Sequence, residues 1–585
     1  MSTVVRAHRL GLGLLLGCGL LFLASCVPQT TPEPVPGALP SRPTNTPPPT
    51  ATPVFTPTPP ASDREGLEGL SLPVERNDLF STSGACALCH TGMIDEAGAD
   101  VSIDGQWRST SKSNSARDPY WQASVRAEVS AHPDLRDTIE DSCARCHMPM
   151  AGFTLNREGI SAPILDDGLL NPEHELHPFA MDGVSCTLCH QIRETGFGLR
   201  PSYDGGFNID AETPAGDRTV FGPFTVDEAQ AELMRGASGF LPVQGLHLSQ
   251  SEMCATCHTL YTPFVDEVGQ VGGEFPEQMT YFEWFYSSYR RGTACQGCHM
   301  TDAQGGVRVA TTSPTLRSPF SQHLFVGGNV YVLRLLETFG EELGVTASAQ
   351  DFQATRARTV DLLQTETATI SFKEVHVTGS YLTTDVVVNS QTGHKFPTGF
   401  PSRRAWIHFQ VRDASGQVLF ESGGVNSDGS ILGNDNDADP SKYEDHYLAI
   451  ARAEQVQIYE AILRDLAGRV TTRLLHASGY VKDNRLLPQG FEKRAPVKEI
   501  RVWGRAAEDE DFTSGSDAIR YSVSLGTGQG PFSVTAELLY QSIGYRWAEN
   551  LRGGEGAEIG RFISYYDRVP NQPVVVASTS VEVSK

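Results

Sequence analysis

The sequence predicts a multidomain protein in which a mainly α-helical and irregular domain is followed by a mainly β, sandwich-like domain. Three observations support this prediction. Five short Cys-x-x-Cys-His motifs lie between residues 86 and 299, two segments with helical periodicity follow them, and seven strand-like segments begin at about residue 366. With 585 residues the chain is long enough for several domains, each with its own core.

The chain begins with a segment typical of exported proteins. Arg6 and Arg9 precede the apolar run LGLGLLLGCGLLFLA, which is too short and too early for a membrane-spanning helix. The sequence LASC, ending at Cys26, resembles the lipobox of bacterial lipoproteins, which implies cleavage before Cys26 and acylation of its thiol. Residues 1–26 are therefore predicted to be a lipoprotein signal peptide, with an ordinary signal peptide as the alternative. Either way the protein is expected to be exported, and the lipid would anchor it to the outer face of a bacterial membrane, in the periplasm or at the cell surface.

Residues 27–72 form a segment rich in proline and threonine, as in TNTPPPTATPVFTPTPP. Such a composition offers almost nothing apolar to bury, so we expect a disordered tether, with the folded protein beginning near residue 73. The formal net charge of -24 argues against nucleic acid as a partner, because phosphate binding needs a basic surface. An acidic surface favours protein partners with basic docking patches.

Ten of the twelve cysteines fall into five copies of one pattern: CALCH, CARCH, CTLCH, CATCH and CQGCH. In this pattern two thiols three positions apart form thioethers with the vinyl groups of one porphyrin, and the adjacent histidine becomes the proximal iron ligand. The sequence therefore predicts five covalently attached haem c groups. Their predicted attachment sites are Cys86, Cys89, Cys143, Cys146, Cys186, Cys189, Cys254, Cys257, Cys295 and Cys298, and their proximal ligands are His90, His147, His190, His258 and His299.

Three other uses of cysteine fit the pattern less well. A disulfide framework gives no reason for a histidine after every cysteine pair. Zinc sites combine Cys-x-x-Cys knuckles two at a time, so five knuckles would leave one without a partner. The Cys-x-x-Cys-x-x-Cys spacing of iron–sulfur proteins is absent from the sequence.

A haem iron with one histidine has a sixth coordination position, and its occupant separates electron carriers from enzymes. The chain after Cys26 contains ten histidines outside the motifs, enough for five bis-histidine haems. The preferred candidates are His132, His177, His247, His323 and His394, of which the last lies in the cysteine-free loop GHKFPTG. His174 remains a close alternative to His177, and methionine ligation stays open at Met93, Met181, Met234, Met253 and Met279.

Several segments resemble a known group of proteins. ARDPYWQASV, HPFAMDGVSCTLCHQI, CATCHTLYTPF, FPEQMTYFEWFYSSYRRGTACQGCHM and HLFVGGN are similar to multihaem c-type cytochromes of the wider group that contains pentahaem nitrite reductase, hydroxylamine oxidoreductase and the tetrahaem cytochrome of ammonia oxidisers. GHKFPTGFPSRRAWIHFQVRDASGQVLFESGG and YVKDNRLLPQGFEK look like the β-domain of membrane-tethered members. The resemblance implies closely packed haems, usually with two histidine ligands each. The chain departs from the nitrite reductases because none of its motifs is CxxCK, and from hydroxylamine oxidoreductase because it has only five motifs.

The region after the motifs divides into helices and strands. Val332, Leu335, Leu336, Phe339 and Leu343 have helical spacing, and a second helix is predicted to begin after a cap at Thr346 or Ser348. These helices complete a predicted haem-packed cytochrome domain at residues 73–365, and residues 366–585 are predicted to form the sandwich-like β-domain. The strand-like segments are TISFKEVHV, LTTDVVVNS, AWIHFQVRD, GQVLFES, YSVSLGT, FSVTAELLYQ and PVVVASTSVEV, while EQVQIYEAILRDLAGRV fits helix or strand.

One acidic segment, GNDNDADPSKYED, has the alternation of an oxygen-ligand calcium loop at Asp435, Asp437 and Asp439. It lacks the glycine and the final glutamate of an EF-hand, so a solvated turn is the alternative.

Together these features predict an exported, membrane-anchored pentahaem cytochrome that relays electrons between redox partner proteins, or to periplasmic or extracellular acceptors. The alternative is a multihaem oxidoreductase of small nitrogen or sulfur compounds, in which one haem has an open site. The sequence assigns no catalytic residue, and it favours an electron carrier over an enzyme.

Overall fold

The structure is a computed structural model that describes residues 72–266 and 268–584. The predicted signal peptide, the lipidation site at Cys26 and nearly all of the predicted tether lie outside these residues. Within them, no helix has both the length and the apolar character needed to cross a bilayer. The described residues all belong to one compact unit.

The part of the chain that carries the motifs consists of short helices and two-residue to eight-residue strands. The helices are α1 (Gly84–Ala87), α2 (Ile103–Arg108), α3 (Pro119–Ala131), α4 (Arg136–His147), α5 (Pro149–Arg157), α6 (His177–Met181), α7 (Cys186–Cys189), α8 (Glu228–Ser238), α9 (Ser251–His258), α10 (Thr280–Phe285) and α11 (Cys295–His299). The strands form four two-stranded sheets: β1 (Ile192–Arg193) with β2 (Asn208–Ile209), β3 (Arg218–Gly222) with β4 (Phe240–Gln244), β5 (Leu260–Val265) with β6 (Val271–Gln278), and β7 (Val307–Arg308) with β8 (Leu316–Arg317). The predicted irregular character of this part is confirmed.

The two predicted helices that follow the motifs are also confirmed. The first is divided into α12 (Val330–Thr338) and α13 (Gly340–Leu343), and the second is α14 (Ala349–Thr365). Ser348, and not Thr346, caps α14, because its hydroxyl accepts from the Asp351 N–H while the Asp351 carboxylate accepts from the Ser348 N–H. All five residues of the predicted apolar stripe are buried.

The C-terminal part of the chain is rich in β-strands. Its strands are β9 (Ala368–Thr378), β10 (Tyr381–Ser390), β11 (Arg404–Arg412), β12 (Val418–Ser422), β13 (Ala449–Ile450), β14 (Ile458–Arg464), β15 (Val470–Thr471), β16 (Gly479–Asp483), β17 (Ser516–Ser524), β18 (Phe532–Gln541) and β19 (Val574–Val583). Three helices accompany them: α15 (Asp435–Ala438), α16 (Tyr545–Glu549) and α17 (Ala557–Arg568). All seven predicted strand segments are strands, and the ambiguous EQVQIYEAILRDLAGRV contributes strand β14.

These strands form two sheets around one apolar core. One sheet has the order β13-β17-β10-β9, and the other has the order β15-β14-β11-β18-β19, with β12 paired to β11 and β16 paired to β14. Val386 of β10, Phe409 of β11 and Leu538 of β18 are fully buried in the core between them. Because side chains alternate along a strand, the other face of β10 and β17 remains polar, as the alternating sequence predicts.

Candidate functional site

All five motifs line one large cavity. Its volume is about 1920 Å³, roughly twice the upper end of ordinary small-molecule pockets. The walls include the five motif histidines and every motif cysteine except Cys89. None of the ten motif cysteines forms a disulfide, which a disulfide framework would require.

Local helical structure presents the motifs in the geometry that thioether attachment needs. The second and fourth motifs lie at the C-terminal ends of α4 and α9, the fifth makes up the whole of α11, and the cysteines of the third motif begin and end α7. Residues three positions apart in a helix lie on the same face, so both thiols of one motif point to one side. The adjacent histidine follows at the end of the same turn.

Hydrogen bonds hold four motif histidines in the form that binds a metal. In each case Nδ1 lies close to a backbone carbonyl oxygen: His90 to Val309 at 2.6 Å, His147 to Ser115 at 3.0 Å, His190 to Phe221 at 2.6 Å, and His299 to Val326 at 2.5 Å. A carbonyl can only accept, so Nδ1 carries the proton and Nε2 keeps its lone pair for a metal. Burial lowers the pKa of His147 and of His299 to about 4, which also keeps these rings neutral.

Two motif histidines face a second histidine at the distance that one shared metal ion would set. The ring centroids of His190 and His323 are 6.3 Å apart with an angle of 17° between the planes, and those of His299 and His394 are 6.2 Å apart with an angle of 7°. A transition metal binds imidazole nitrogen at roughly 2 Å, so two coaxial imidazoles on one metal have centroids about 6 Å apart. His323 and His394 therefore fit the sixth coordination positions that haems attached at the third and fifth motifs would have.

The loop between β10 and β11 carries His394 into the cavity. Its Nδ1 lies 2.9 Å from the Lys395 carbonyl oxygen, which leaves Nε2 free. Gly393 packs against Tyr289, where a Cβ atom would lie 3.3 Å from the ring, and the Tyr289 hydroxyl donates to the Gln391 carbonyl oxygen at 2.5 Å. The glycine that precedes His394 thus allows the loop to pack closely against the motif-bearing part of the chain.

The fourth motif has a different neighbour. Nε2 of His258 lies 2.8 Å from Nζ of Lys112, and both residues line the cavity. The charge of Lys112, followed by burial, holds the pKa of His258 well below its usual value. The sequence did not reveal Lys112 as a candidate, because lysine was expected as a ligand only inside a CxxCK motif. Its proximity to the segment ARDPYW, which carries part of the family resemblance, was the one available signal.

The three remaining predicted ligands lie elsewhere in the described part of the chain, away from the cavity lining. Nε2 of His132 is 2.9 Å from Nε2 of His476, Nδ1 of His177 is 2.9 Å from the Leu169 carbonyl oxygen, and Nε2 of His247 is 2.8 Å from the Ile192 carbonyl oxygen. The last contact places a proton on the very nitrogen that would bind iron. Their assignment as ligands stays a prediction, and of the alternatives left open Met234 and Met253 line the cavity.

The expected calcium ligands do not converge on a site. Asp437 is occupied on both oxygens, by Arg404 Nη1 at 2.7 Å and by the Ile431 N–H at 2.8 Å. Asp439 caps a turn by accepting from the Ser441 N–H at 2.9 Å. A buried arginine thus neutralises the carboxylate that calcium would need, and calcium at Asp435, Asp437 and Asp439 finds no support.

Cysteines of different motifs lie close enough to influence one another. The pKa values of Cys86 and Cys186, of Cys146 and Cys257, and of Cys254 and Cys295 are shifted by the partner thiol of each pair. The first motif therefore adjoins the third, the second adjoins the fourth, and the fourth adjoins the fifth. Cys189 of the third motif also lies within electrostatic reach of Cys257, so the five motifs form one connected series.

Comparison with known proteins adds little. No family model and no curated protein matches the chain. A solved structure with some likeness is that of a penta-heme cytochrome c552 from Thermochromatium tepidum, which has 16% sequence identity and a TM-score of 0.43, over 75% of this chain and 83% of that one. A likeness of this size leaves the function to be inferred from the residues of this chain.

Two carboxyl groups line the cavity beside the second motif. Glu277 is buried, with 8% of its surface exposed, and the half-buried Glu128 lies near it. Burial raises the pKa of Glu277 to about 7, although the Thr262 hydroxyl, 2.5 Å from its Oε2, opposes the shift. The folded protein therefore holds a proton on Glu277 under conditions in which the unfolded chain has lost it.

We expect Glu277→Gln to weaken the pH dependence of stability between about pH 4.5 and pH 7. Below this window both states of the wild type are protonated, and as the pH rises through it the unfolded glutamate ionises first, so folding loses roughly 3 kcal/mol. Denaturant titrations of the holoprotein at several pH values measure this loss. Glu274→Gln is the control, because Glu274 lies on the same strand, is exposed and pairs with Arg200. Equal pH profiles for wild type and Glu277→Gln would contradict the prediction.

Proposed function

We propose that this chain is an exported, lipid-anchored pentahaem c-type cytochrome that relays electrons between redox partners. The observation that supports it most is that all five motifs line one cavity, which would bring five haems into a continuous series. Haem iron is a one-electron carrier whose potential depends on its axial ligands and surroundings. An electron that enters at one haem would then reach the others by short steps between neighbouring haems.

In this proposal the protein residues hold and tune each haem. The cysteine pairs attach the porphyrins, the carbonyl contacts to Nδ1 fix the proximal rings, and His323, His394 and Lys112 fill the sixth positions at the third, fifth and fourth motifs. Cys298 is exposed, whereas the other nine motif cysteines are partly covered. The fifth motif is therefore the proposed point of electron exchange with a partner.

The alternative function, reduction or oxidation of a small nitrogen or sulfur compound, rests on the remaining two motifs. Among the described residues seven histidines line the cavity, five from the motifs and two opposite them, so no second histidine faces the first or the second motif there. An unfilled sixth position at either motif would admit a small ligand.

Titration of the reduced protein with carbon monoxide tests the two functions. A relay with saturated iron is expected to bind none, and its pyridine haemochrome spectrum should give five haems per chain. Binding at one or two of the five would favour the enzyme, and nitrite, hydroxylamine and sulfite would then be tested as substrates. A spectrum without haem c would refute both.

Replacement of Cys26 tests the proposed lipid anchor. We expect Cys26→Ser to abolish incorporation of radiolabelled fatty acid into the protein, because acylation needs the thiol. Cys18→Ser is the matched control, since Cys18 lies in the same predicted signal segment but upstream of the predicted cleavage site. If Cys26→Ser still carries the label, or if the wild type never does, the anchor proposal is wrong.

A further inference from the structure

Four charged side chains lie buried together behind the loop that carries His394. Lys395 and Asp483 are fully buried and pair through Nζ and Oδ2 at 2.7 Å. Arg485 contacts Asp483 at 2.8 Å and Glu283 at 2.9 Å, and the side chains of Arg485 and Glu283 are 8% and 0% exposed. Two cations thus neutralise two anions within one buried group.

Glu283 differs from the other three members in its position in the chain. It lies on α10, close to the fifth motif, whereas the others belong to the β-rich part. Its Oε2 accepts from the Lys395 N–H at 3.2 Å and from the Thr398 hydroxyl at 2.5 Å. These two residues flank the turn that follows His394, so one carboxylate holds the loop at two points.

The contacts of Glu283 have two separable effects. Its hydrogen bonds fix the backbone of the residue next to His394, and thereby the direction of the imidazole. Its negative charge, in a dry environment of low dielectric constant, also acts over several ångströms on any charge that forms nearby. A haem iron is more positive when oxidised, so a nearby carboxylate stabilises the oxidised state.

We propose that Glu283 is a positioning residue for the fifth haem: it holds His394 in the sixth coordination position and lowers the reduction potential of that haem by its fixed charge. This inference rests on the proposed function, because it requires a haem at Cys295 and Cys298. In this proposal Glu283, from the motif-bearing part of the chain, controls the orientation of His394, which the β-rich part supplies as a ligand.

Two substitutions in the full-length holoprotein separate the effects. Glu283→Gln keeps an oxygen acceptor but removes the charge, so the fifth haem should stay low-spin while one of the five reduction potentials rises. Glu283→Ala removes the acceptor as well, so one haem should become high-spin in the electron paramagnetic resonance (EPR) spectrum of the oxidised protein. Thr398→Val removes one of the two loop contacts and keeps the charge, so it should broaden one low-spin signal and leave the potentials in place.

Glu460→Gln is the matched control. Glu460 is also a buried glutamate that pairs with a cation, Lys482, at 3.1 Å, but it lies away from the cavity lining. Its loss should reduce stability and leave all five potentials unchanged. The inference would be overturned if Glu283→Gln and Glu460→Gln changed the reduction potentials equally. It would also be overturned if both Glu283 variants left the potentials and the spin states unchanged. A wild-type protein without five haems would instead overturn the proposed function.

Discussion

Replacing His394 with alanine is expected to convert one of the five haems from low-spin to high-spin. His394 is the residue whose ring lies opposite His299, with the planes almost parallel and the centroids 6.2 Å apart. If the fifth motif holds a haem as proposed, removal of the imidazole would leave its iron without the proposed sixth ligand, and water or an open position would replace it. About one fifth of the low-spin EPR intensity should be lost, and the reduced protein should gain one binding site for carbon monoxide.

The same substitution should loosen the β-rich part from the motif-bearing part, because an iron–histidine bond would link the two. Limited proteolysis and the midpoint of thermal unfolding measure this effect. His376→Ala is the control, since His376 is an exposed histidine of β9 that contacts only Glu374 among the described ion pairs. If His394→Ala keeps all five low-spin signals, His394 is a buried structural residue and the fifth haem has another ligand.

The sequence predicted best what depends on local pattern. The five Cys-x-x-Cys-His motifs are recognised from their spacing alone, and the strands β9, β10, β17 and β18 follow from alternation between apolar and polar residues. Strand β14 stayed ambiguous because six of its seven residues are buried, which removes the alternation that marks a strand with one solvated face.

Candidate sixth ligands are harder to predict than the motifs because their positions depend on contacts between distant parts of the chain. His323 and His394 lie in loops, and only the packing of those loops against the motifs brings them opposite His190 and His299. Nearness in sequence to a motif does not settle the matter: His247 lies a few residues before the fourth motif, and its Nε2 lies 2.8 Å from the Ile192 carbonyl oxygen, so its assignment stays a prediction. Lys112 lies 146 positions from His258 and next to it in space.

Replacing Lys112 with methionine should change the fourth haem and no other. Nζ of Lys112 lies 2.8 Å from Nε2 of His258, which is a hydrogen-bond contact. Two nitrogens on opposite sides of one metal lie about 4 Å apart, so the amine would bind a metal held by His258 after moving about 1 Å away from the ring. A neutral amine is a stronger field ligand than a thioether, and near-infrared charge-transfer bands distinguish histidine–lysine from histidine–methionine haems. We therefore expect one set of bands and one low-spin EPR signal to move, with a higher reduction potential, as methionine ligation raises the potential of haem.

Two further variants decide whether Lys112 binds the iron or only contributes charge. Lys112→Ala should leave the fourth haem with an open position and add one carbon monoxide site, whereas Lys112→Arg keeps the charge but removes the amine. If the lysine is a ligand, the arginine variant should therefore resemble the alanine variant. If charge alone matters, it should resemble wild type. Lys442→Met is the control for loss of an exposed lysine, because its side chain is 60% exposed and pairs weakly with Asp439 at 3.8 Å.

The fourth motif lies at the junction of the series, next to the second and the fifth motifs. A fourth haem with an open position should therefore slow electron transfer among all five haems, because the relay would be interrupted at its centre.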